Sequence, residues 1–245
     1  CMVAFAAGMT AVLREKGITP AVAAGLSLGE YSALHAAGVF DAATAIRLVA
    51  FRGKAMEEAA AGRESAMMAV LNLDRSPLQD ACDAASDLGC VVIANYNCPG
   101  QIVITGLAEA VAEASEKLKA AGGRRVIPLN VSGPFHSKML TEAGEKLGKV
   151  LDTVEIHKPA IPYAANVTAE YVTEAEDVKP LLERQVSSSV RWEQTMRMML
   201  ADGVDTFIEI GPGKTLAGFM KKIDRSVRVI NIEKLEDIEK VRELL

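Results

Sequence analysis

The strongest constraint on the fold of this chain is a Gly-x-Ser-x-Gly turn, Gly25 to Gly29, which joins a short apolar run to a helical pattern. The apolar run over residues 21–25 follows Pro20 and is typical of a buried strand. A helical pattern continues over residues 28–37. This order of strand, turn and helix predicts a parallel α/β sheet.

The same turn predicts a chemical role for Ser27. A sharp turn between small residues exposes the serine hydroxyl and directs the first amides of the helix, notably that of Leu28, toward an oxyanion. An ordinary glycine-rich turn, in which Ser27 only caps the helix, is the alternative. The position at the end of a buried strand favours a serine nucleophile.

A serine nucleophile needs a general base, because its hydroxyl is hardly ionised at neutral pH. The chain has three histidines. His35 lies in the helix after the turn, roughly 12 Å along the axis from Ser27, which is too far for proton transfer. His157 is flanked by charged residues and is expected at the surface. By elimination, His136 in the loop 131–137 is the candidate base.

Arg52 is the third informative residue. A helix predicted from its cap Asp41 to about Ala61 carries Arg52 on an apolar face. That face also contains Ala45, Leu48, Val49 and Met56. A guanidinium there costs several kcal/mol unless it is paired. It predicts either a salt bridge to a buried carboxylate or bidentate capture of a substrate carboxylate.

The segment after residue 62 has a different pattern. Strand-like runs fall at 67–73, 90–95, 101–105 and 125–131, with helical patterns at 77–88 and 107–121. The first helix is predicted to start with Ser76 as its cap and Pro77 in its first position. The order β-α-β-β-α-β predicts a ferredoxin-like subdomain at residues 63–131. It is inserted into a large α/β domain formed by residues 1–62 and 132–245.

Alternating elements return after residue 131. Helical patterns fall at 138–151, 177–187, 192–201 and 215–223, strand-like runs at 206–210 and 227–232, an extended proline-containing run at 156–166, and a short amphipathic helix from 235. Gly211 to Thr215 resembles a phosphate-binding loop, but Ile208 stands where such a loop needs glycine, so a strand-to-helix turn is predicted.

Composition excludes several classes. Lys+Arg 27 against Asp+Glu 32 gives a net charge of -5 without a basic stripe, which argues against nucleic-acid binding. No apolar run is long enough to span a membrane. The four cysteines form no CxxC pair and the histidines have no zinc-ligand spacing, so no metal is predicted. Reduced thiols indicate a cytoplasmic protein.

With these residues placed, the sequence closely resembles the acyltransferase family of fatty acid and polyketide synthesis. The matching blocks cover essentially the whole chain in order and include GLSLGEYSAL, LVAFRGKAMEEAA, ANYNCPGQIVITG, PLNVSGPFHSKML, LLERQVSSSVRW and IEIGPGKTLAGF. The resemblance implies a hydrolase-like parallel-sheet domain that carries a ferredoxin-like subdomain.

The resemblance also implies an activity in fatty acid biosynthesis. Ser27 would attack the thioester of malonyl-CoA with His136 as general base, and Arg52 would hold the free carboxylate of the malonyl group. The phosphopantetheine thiol of acyl carrier protein would then take the malonyl group. No cofactor is implied, since the CoA thioester is a substrate. We expect a monomer with no nucleic-acid or membrane partner.

Further positions follow from the same resemblance. A main-chain carbonyl near Gln185, rather than an aspartate, would orient His136. Phe135 matches the pattern of malonyl-selective members, and the Leu28 amide would serve the oxyanion hole. A polyketide-synthase acyltransferase domain, a serine thioesterase or hydrolase, and an inert docking module stay open as alternatives.

One departure concerns the N-terminus. The family's Pro-Gly-Gln-Gly loop, whose Gln contributes to the oxyanion hole, is absent, and Cys1 begins inside a helical pattern. We therefore expect an N-terminally truncated chain. Loss of one oxyanion donor costs about 10² to 10³ in rate, and the first strand of the sheet would be missing too, so the isolated chain is expected to be poorly active or unstable.

Overall fold

The structure, a computed structural model, describes residues 1–73, 75–123 and 125–242. The helices of this part of the chain are α1 (Met2–Glu15), α2 (Gly29–Ala36), α3 (Ala42–Ala60), α4 (Arg75–Ala85), α5 (Ala108–Ala120), α6 (Thr141–Leu151), α7 (Ala175–Gln185), α8 (Trp192–Ala201), α9 (Thr215–Ile223) and α10 (Ile238–Arg242). Short 3₁₀ turns lie at Ser86–Leu88, Lys138–Leu140 and Leu235–Asp237. None of these helices is long and apolar enough to cross a bilayer.

The strands form three sheets within the described residues. They are β1 (Ala23–Ala24), β2 (Ser65–Leu71), β3 (Val91–Cys98), β4 (Gln101–Leu107), β5 (Arg125–Pro128), β6 (Tyr163–Ala164), β7 (Tyr171–Val172), β8 (Thr206–Ile210) and β9 (Arg228–Ile232). The sheet orders are β1-β6-β7, β3-β4-β2-β5 and β8-β9. Both antiparallel and parallel pairs occur, so the fold is mixed α/β.

The middle of the chain forms the four-stranded sheet. All its pairs are antiparallel, and the elements follow the predicted order β2-α4-β3-β4-α5-β5. The hairpin between β3 and β4 turns at Pro99 and Gly100. A separate cluster of apolar side chains packs α4 and α5 on this sheet, and it includes Val70, Leu78, Ile104 and Leu118.

The rest of the chain has its own apolar core. Helices α2, α3, α6 and α7 pack around it, with Tyr31, Leu48, Leu147 and Leu182 fully or almost fully buried. Helix α3 begins at the predicted cap, because the Asp41 carboxylate accepts a hydrogen bond of 2.6 Å from Thr44 N–H. This cap fixes the start of the helix that carries Arg52.

The prediction of one parallel sheet needs correction. Parallel pairing exists between β1 and β6 and between β8 and β9, but these pairs lie in separate sheets of the described residues. Strand β7 is antiparallel to β6 and was not predicted. Strands β1, β6 and β7 have two residues each, which is too short for a run of side chains to show a period.

The predicted start of α4 is also wrong. The helix begins at Arg75, so Ser76 lies inside it instead of capping it, and Pro77 is in its first turn. Proline is tolerated there because the first N–H groups of a helix have no intrahelical acceptor. The boundaries of α8, β8 and α9 agree with the prediction.

Candidate active site

Ser27 occupies a strained turn between β1 and α2. Its φ angle is 53°, and this left-handed conformation costs a non-glycine residue about 1–3 kcal/mol. Asn166, which follows β6, stabilises the turn. Its Oδ1 atom accepts a hydrogen bond of 2.6 Å from Ser27 N–H, and its Nδ2 atom donates one of 2.7 Å to the Gly25 carbonyl. A residue from a distant part of the chain therefore holds the candidate nucleophile.

The two glycines of the motif have different requirements. A Cβ atom at Gly25 would overlap the carbonyl group of Gly29, because the turn brings the two backbones together. A Cβ atom at Gly29 meets no atom within 4 Å. The sequence prediction of small residues on both sides of the serine therefore holds for Gly25 only.

The Leu28 amide lies at the start of α2, where oxyanion donors were predicted. The next two amides are used within the turn: Gly29 N–H donates to the Leu26 carbonyl at 2.9 Å, and Glu30 N–H donates to the Ser27 carbonyl at 3.1 Å. Within the described part of the chain, no acceptor pairs with the Leu28 N–H. This amide can therefore donate to an oxygen atom that develops charge beside Ser27.

His136 lies beside Ser27. Its Nε2 atom is 2.8 Å from Ser27 Oγ. On the other side of the ring, Nδ1 is 3.0 Å from the Gln185 carbonyl and 3.1 Å from the Ser188 carbonyl. Because carbonyls only accept hydrogen bonds, Nδ1 carries the proton and Nε2 accepts from the Ser27 hydroxyl. The ring is in the tautomer that a general base requires.

Burial keeps this imidazole neutral. His136 is 3% exposed, and burial, with the nearby Arg52 charge as a second cause, lowers its pKa to about 4. A neutral ring at physiological pH is ready to accept a proton. Its φ of 61° is also left-handed, which points to a loop conformation that the surrounding contacts must maintain.

Arg52 reaches the same serine from α3. Its side chain is buried, and one terminal nitrogen donates a hydrogen bond of 3.0 Å to Ser27 Oγ. Its Nε atom donates to Gln185 Oε1 at 3.1 Å, and the guanidinium lies 5.9 Å from the centroid of the Tyr31 ring. No carboxylate of the described residues forms a salt bridge with Arg52. A direct salt bridge to a buried carboxylate, the first alternative, is therefore not observed among the described residues.

Gln185 connects these groups. Besides its main-chain contact with His136, the fully buried side chain contacts three residues. Its Oε1 accepts from Arg52, and its Nε2 donates to the Ser27 carbonyl at 2.9 Å and to Glu30 Oε2 at 2.7 Å. The sequence resemblance pointed only to a main-chain carbonyl near Gln185. The side-chain contacts were not predicted.

Glu30 is a buried carboxyl group one helical turn after Ser27. Its residue is 1% exposed, and its Oε2 atom accepts from the Gln185 side chain and from the Asn166 N–H at 3.3 Å. Burial raises the pKa of this carboxyl to about 7, against the lowering effect of its hydrogen bonds and of Arg52. Sequence reasoning missed Glu30 and Asn166, although a polar residue at the end of an extended run was a usable signal for Asn166.

Phe135 precedes the histidine and is half-buried. Its ring packs against the core of α2, α3, α6 and α7 and also against Met67 and Ala94 on the four-stranded sheet. The structure therefore brings together Ser27, Arg52, His136 and Gln185, with Phe135 and Leu28 at adjoining chain positions.

The remaining predicted candidates lie elsewhere. His35 Nδ1 contacts the Phe40 carbonyl at 3.0 Å, and His157 is exposed beside Glu155. The described residues contain no group of three or more potential metal ligands, and the four cysteines are free. At the turn after β8, the Glu209 carboxylate accepts hydrogen bonds from the first amides of α9. The anion position that a phosphate would need is therefore filled by a side chain.

Comparison with known proteins shows which family and which proteins this chain is similar to. The profile of the family described as acyl transferase domain matches residues 1–239. The chain is 47% identical over 227 residues to the malonyl CoA-acyl carrier protein transacylase of Bacillus subtilis, covering 92% of this chain and 72% of that protein.

Solved structures are similar as well. A crystal structure of MCAT from Streptococcus pneumoniae has a TM-score of 0.94 at 44% identity and covers 99% of this chain and 79% of that one. A malonyl-transacylase solved in complex with a type II polyketide acyl carrier protein has a TM-score of 0.96 at 38% identity, over 99% of this chain and 79% of that one.

Proposed function

Because the chain belongs to the acyl transferase domain family, we propose that it transfers malonyl groups from malonyl-CoA to the thiol of acyl carrier protein through an ester on Ser27. This is the S-malonyltransferase step of fatty acid biosynthesis. The overall exchange replaces one thioester by another, so it is nearly balanced in free energy.

The observation that carries this proposal is the double contact of Ser27 Oγ. It lies 2.8 Å from His136 Nε2 and 3.0 Å from a terminal nitrogen of Arg52. In a malonyl group, a single methylene separates the reacting carbonyl from the free carboxylate. A guanidinium that binds the carboxylate must therefore lie beside the nucleophile, as Arg52 does.

In the first half-reaction, Ser27 Oγ attacks the thioester carbonyl of malonyl-CoA and its proton passes to His136 Nε2. The carbonyls of Gln185 and Ser188 accept from Nδ1–H and stabilise the imidazolium. The Leu28 N–H donates to the oxyanion. Collapse of the intermediate breaks the carbon–sulfur bond, and the departing CoA sulfur takes the proton from His136.

The second half-reaction is the reverse with a different thiol. The phosphopantetheine thiol gives its proton to His136 and attacks the malonyl ester. The bond to Ser27 Oγ breaks, and His136 returns the proton to that oxygen. Throughout, Arg52 holds the free carboxylate in a bidentate contact, which favours malonyl over acetyl because an uncharged acyl group leaves the guanidinium without a direct carboxylate contact.

The proposal extends to domain organisation. A large domain formed by residues 1–62 and 132–245 carries the transfer site, and residues 63–131 form a ferredoxin-like subdomain. The strand order β3-β4-β2-β5 and the separate apolar cluster around α4 and α5 support this division. The expectation of a cytoplasmic monomer stays a prediction.

Radiolabelled malonyl-CoA tests the proposal. With incubation long enough for slow turnover, we expect label on the peptide that contains Ser27, and chase of that label onto acyl carrier protein. The Ser27→Ala variant is the control and should take no label. Release of free malonate in place of transfer would identify a hydrolase, and absence of label would contradict the proposal.

A further inference from the structure

We propose that Glu30 is the counter-charge of Arg52 before substrate binds, and that the substrate carboxylate replaces it by driving a proton from solvent onto Glu30. This inference rests on the proposed function. Glu30 touches no reacting atom, so it acts as a positioning residue. Through it, the affinity for a carboxylate-bearing acyl group becomes coupled to proton uptake.

The side-chain amide of Gln185 links Glu30 to Arg52. Gln185 Nε2 donates to Glu30 Oε2 at 2.7 Å, and Gln185 Oε1 accepts from Arg52 Nε at 3.1 Å. The amide dipole is therefore aligned between the carboxylate and the guanidinium. All three side chains are buried, so little solvent screens the interaction.

The other groups around Glu30 offer Arg52 no alternative anion. From the loop after β6, Asn166 contributes a main-chain amide, and α2 and β6 contribute the neutral phenols of Tyr31 and Tyr163, whose pKa values burial raises. The ring of His136, which contacts Ser27 Oγ, is neutral. Asp177 on α7 is exposed, and its negative charge contributes to the raised pKa of Tyr163.

The carboxylate of a bound malonyl group changes the protonation of Glu30. When a malonyl carboxylate contacts Arg52 directly, two negative charges share one buried guanidinium, and such pairs disfavour ionisation of both groups. The Glu30 carboxyl is the group that becomes protonated, because it interacts with Arg52 only through Gln185. Its pKa of about 7 lies close enough to neutrality that a modest further rise makes it take up a proton.

The hydrogen bonds leave a place for that proton. Both donors, Gln185 Nε2 and Asn166 N–H, use the Oε2 atom of Glu30. The Oε1 atom is buried and has no hydrogen-bond partner among the described residues. Protonation at Oε1 therefore neutralises Glu30 without breaking the contact that orients Gln185.

The pH dependence follows from the sign of the shift. The pKa of Glu30 is higher in the complex than in the free protein, so binding takes up a proton between these two values. Malonyl affinity is therefore greatest at and below neutral pH. Between the two pKa values, Kd rises with pH by up to about tenfold per pH unit and it levels off above the higher one, whereas the Kd for acetyl-CoA, which lacks the carboxylate, shows no such dependence.

Calorimetric titration of the Ser27→Ala variant with malonyl-CoA measures this uptake without turnover. At about pH 7.5, in two buffers of different ionisation enthalpy, we expect net uptake of a measurable fraction of a proton. Acetyl-CoA should give almost none. Adding Glu30→Gln should abolish the uptake and make the Kd for malonyl-CoA independent of pH. No uptake in the parent, or uptake that survives Glu30→Gln, would overturn the inference.

A matched control removes a different carboxylate charge. Glu209 accepts two backbone hydrogen bonds at the start of α9, and Glu209→Gln should leave proton uptake unchanged. If Glu30→Gln does not fold, the comparison of malonyl-CoA with acetyl-CoA in the parent still decides. Failure of Ser27 labelling would contradict the proposed function. Intact labelling without proton uptake would contradict only the role of Glu30.

Discussion

The Arg52 guanidinium donates a hydrogen bond of 3.0 Å to the Oγ atom of Ser27, so the candidate carboxylate binder and the candidate nucleophile are in contact. An arginine that bound a distant part of the substrate, such as a CoA phosphate, would have no reason to touch this oxygen. Under the proposed role of Arg52, this contact restricts the acyl groups that suit the site to short ones with a terminal anion.

Substitution of Arg52 tests this restriction. Arg52→Ala should lower kcat/KM for malonyl-CoA by about 10²-fold or more, because a buried charged hydrogen-bond partner is lost. Loading of acetyl from acetyl-CoA should be spared. Arg52→Lys should be intermediate, since lysine keeps the charge without the bidentate geometry. Equal losses for both thioesters would exclude the carboxylate role.

The glycines of the turn give a second prediction. Gly25→Ala should abolish transfer and destabilise the protein, because its Cβ would overlap backbone atoms of Gly29 that cannot move independently. Gly29→Ala, where the Cβ has open space, should retain activity. Urea unfolding and the transfer assay measure both variants. A Gly25→Ala protein that keeps its activity and its stability would show that the turn can rearrange to accommodate a Cβ atom.

Asn166 gives a third prediction. Asn166→Ala removes both hydrogen bonds that stabilise the left-handed Ser27, so we expect kcat to fall about tenfold or more and unfolding free energy to fall by about 1–3 kcal/mol. Asn231→Ala is the matched control, because Asn231 also donates to a glycine carbonyl, that of Gly213. It should leave kcat unchanged. Normal turnover in Asn166→Ala would contradict the clamping role.

The candidate site was predictable where its signals are local. Ser27 follows from the turn motif and Arg52 from its position on an apolar helix face, and both assignments need only neighbouring residues. His136 required elimination of two other histidines. Sequence reasoning did not find Asn166 or the side-chain contacts of Gln185, because these depend on the packing of segments more than a hundred residues from the turn.

Helices and strands were likewise predictable where their sequence signals are local. Helix α8 and strand β8 were predicted at their observed boundaries, since each has enough residues to show its period and lies next to a turn signal. The sheet that holds β1 was not predictable in detail. Each of its strands has two residues, and their pairing comes from the tertiary arrangement of the helices around them.

The buried, neutral His136 predicts how stability depends on pH. Its pKa is about 4 in the folded protein against an ordinary value of 6.5, so the unfolded chain binds the extra proton in this window. The contribution is complete above 6.5 and is lost as the pH falls toward 4. Relative to His136→Gln, the parent should lose about 3 kcal/mol of unfolding free energy across the window.

Urea unfolding of both proteins at several pH values measures this difference. The raised pKa of Glu30 has the opposite effect on stability, but it is present in both proteins and cancels. His157→Gln, at an exposed position, controls for the loss of a histidine elsewhere. If the difference between the parent and His136→Gln does not change with pH, then the imidazole is not held neutral by burial. The acid side of the activity profile would then lie near the ordinary histidine pKa.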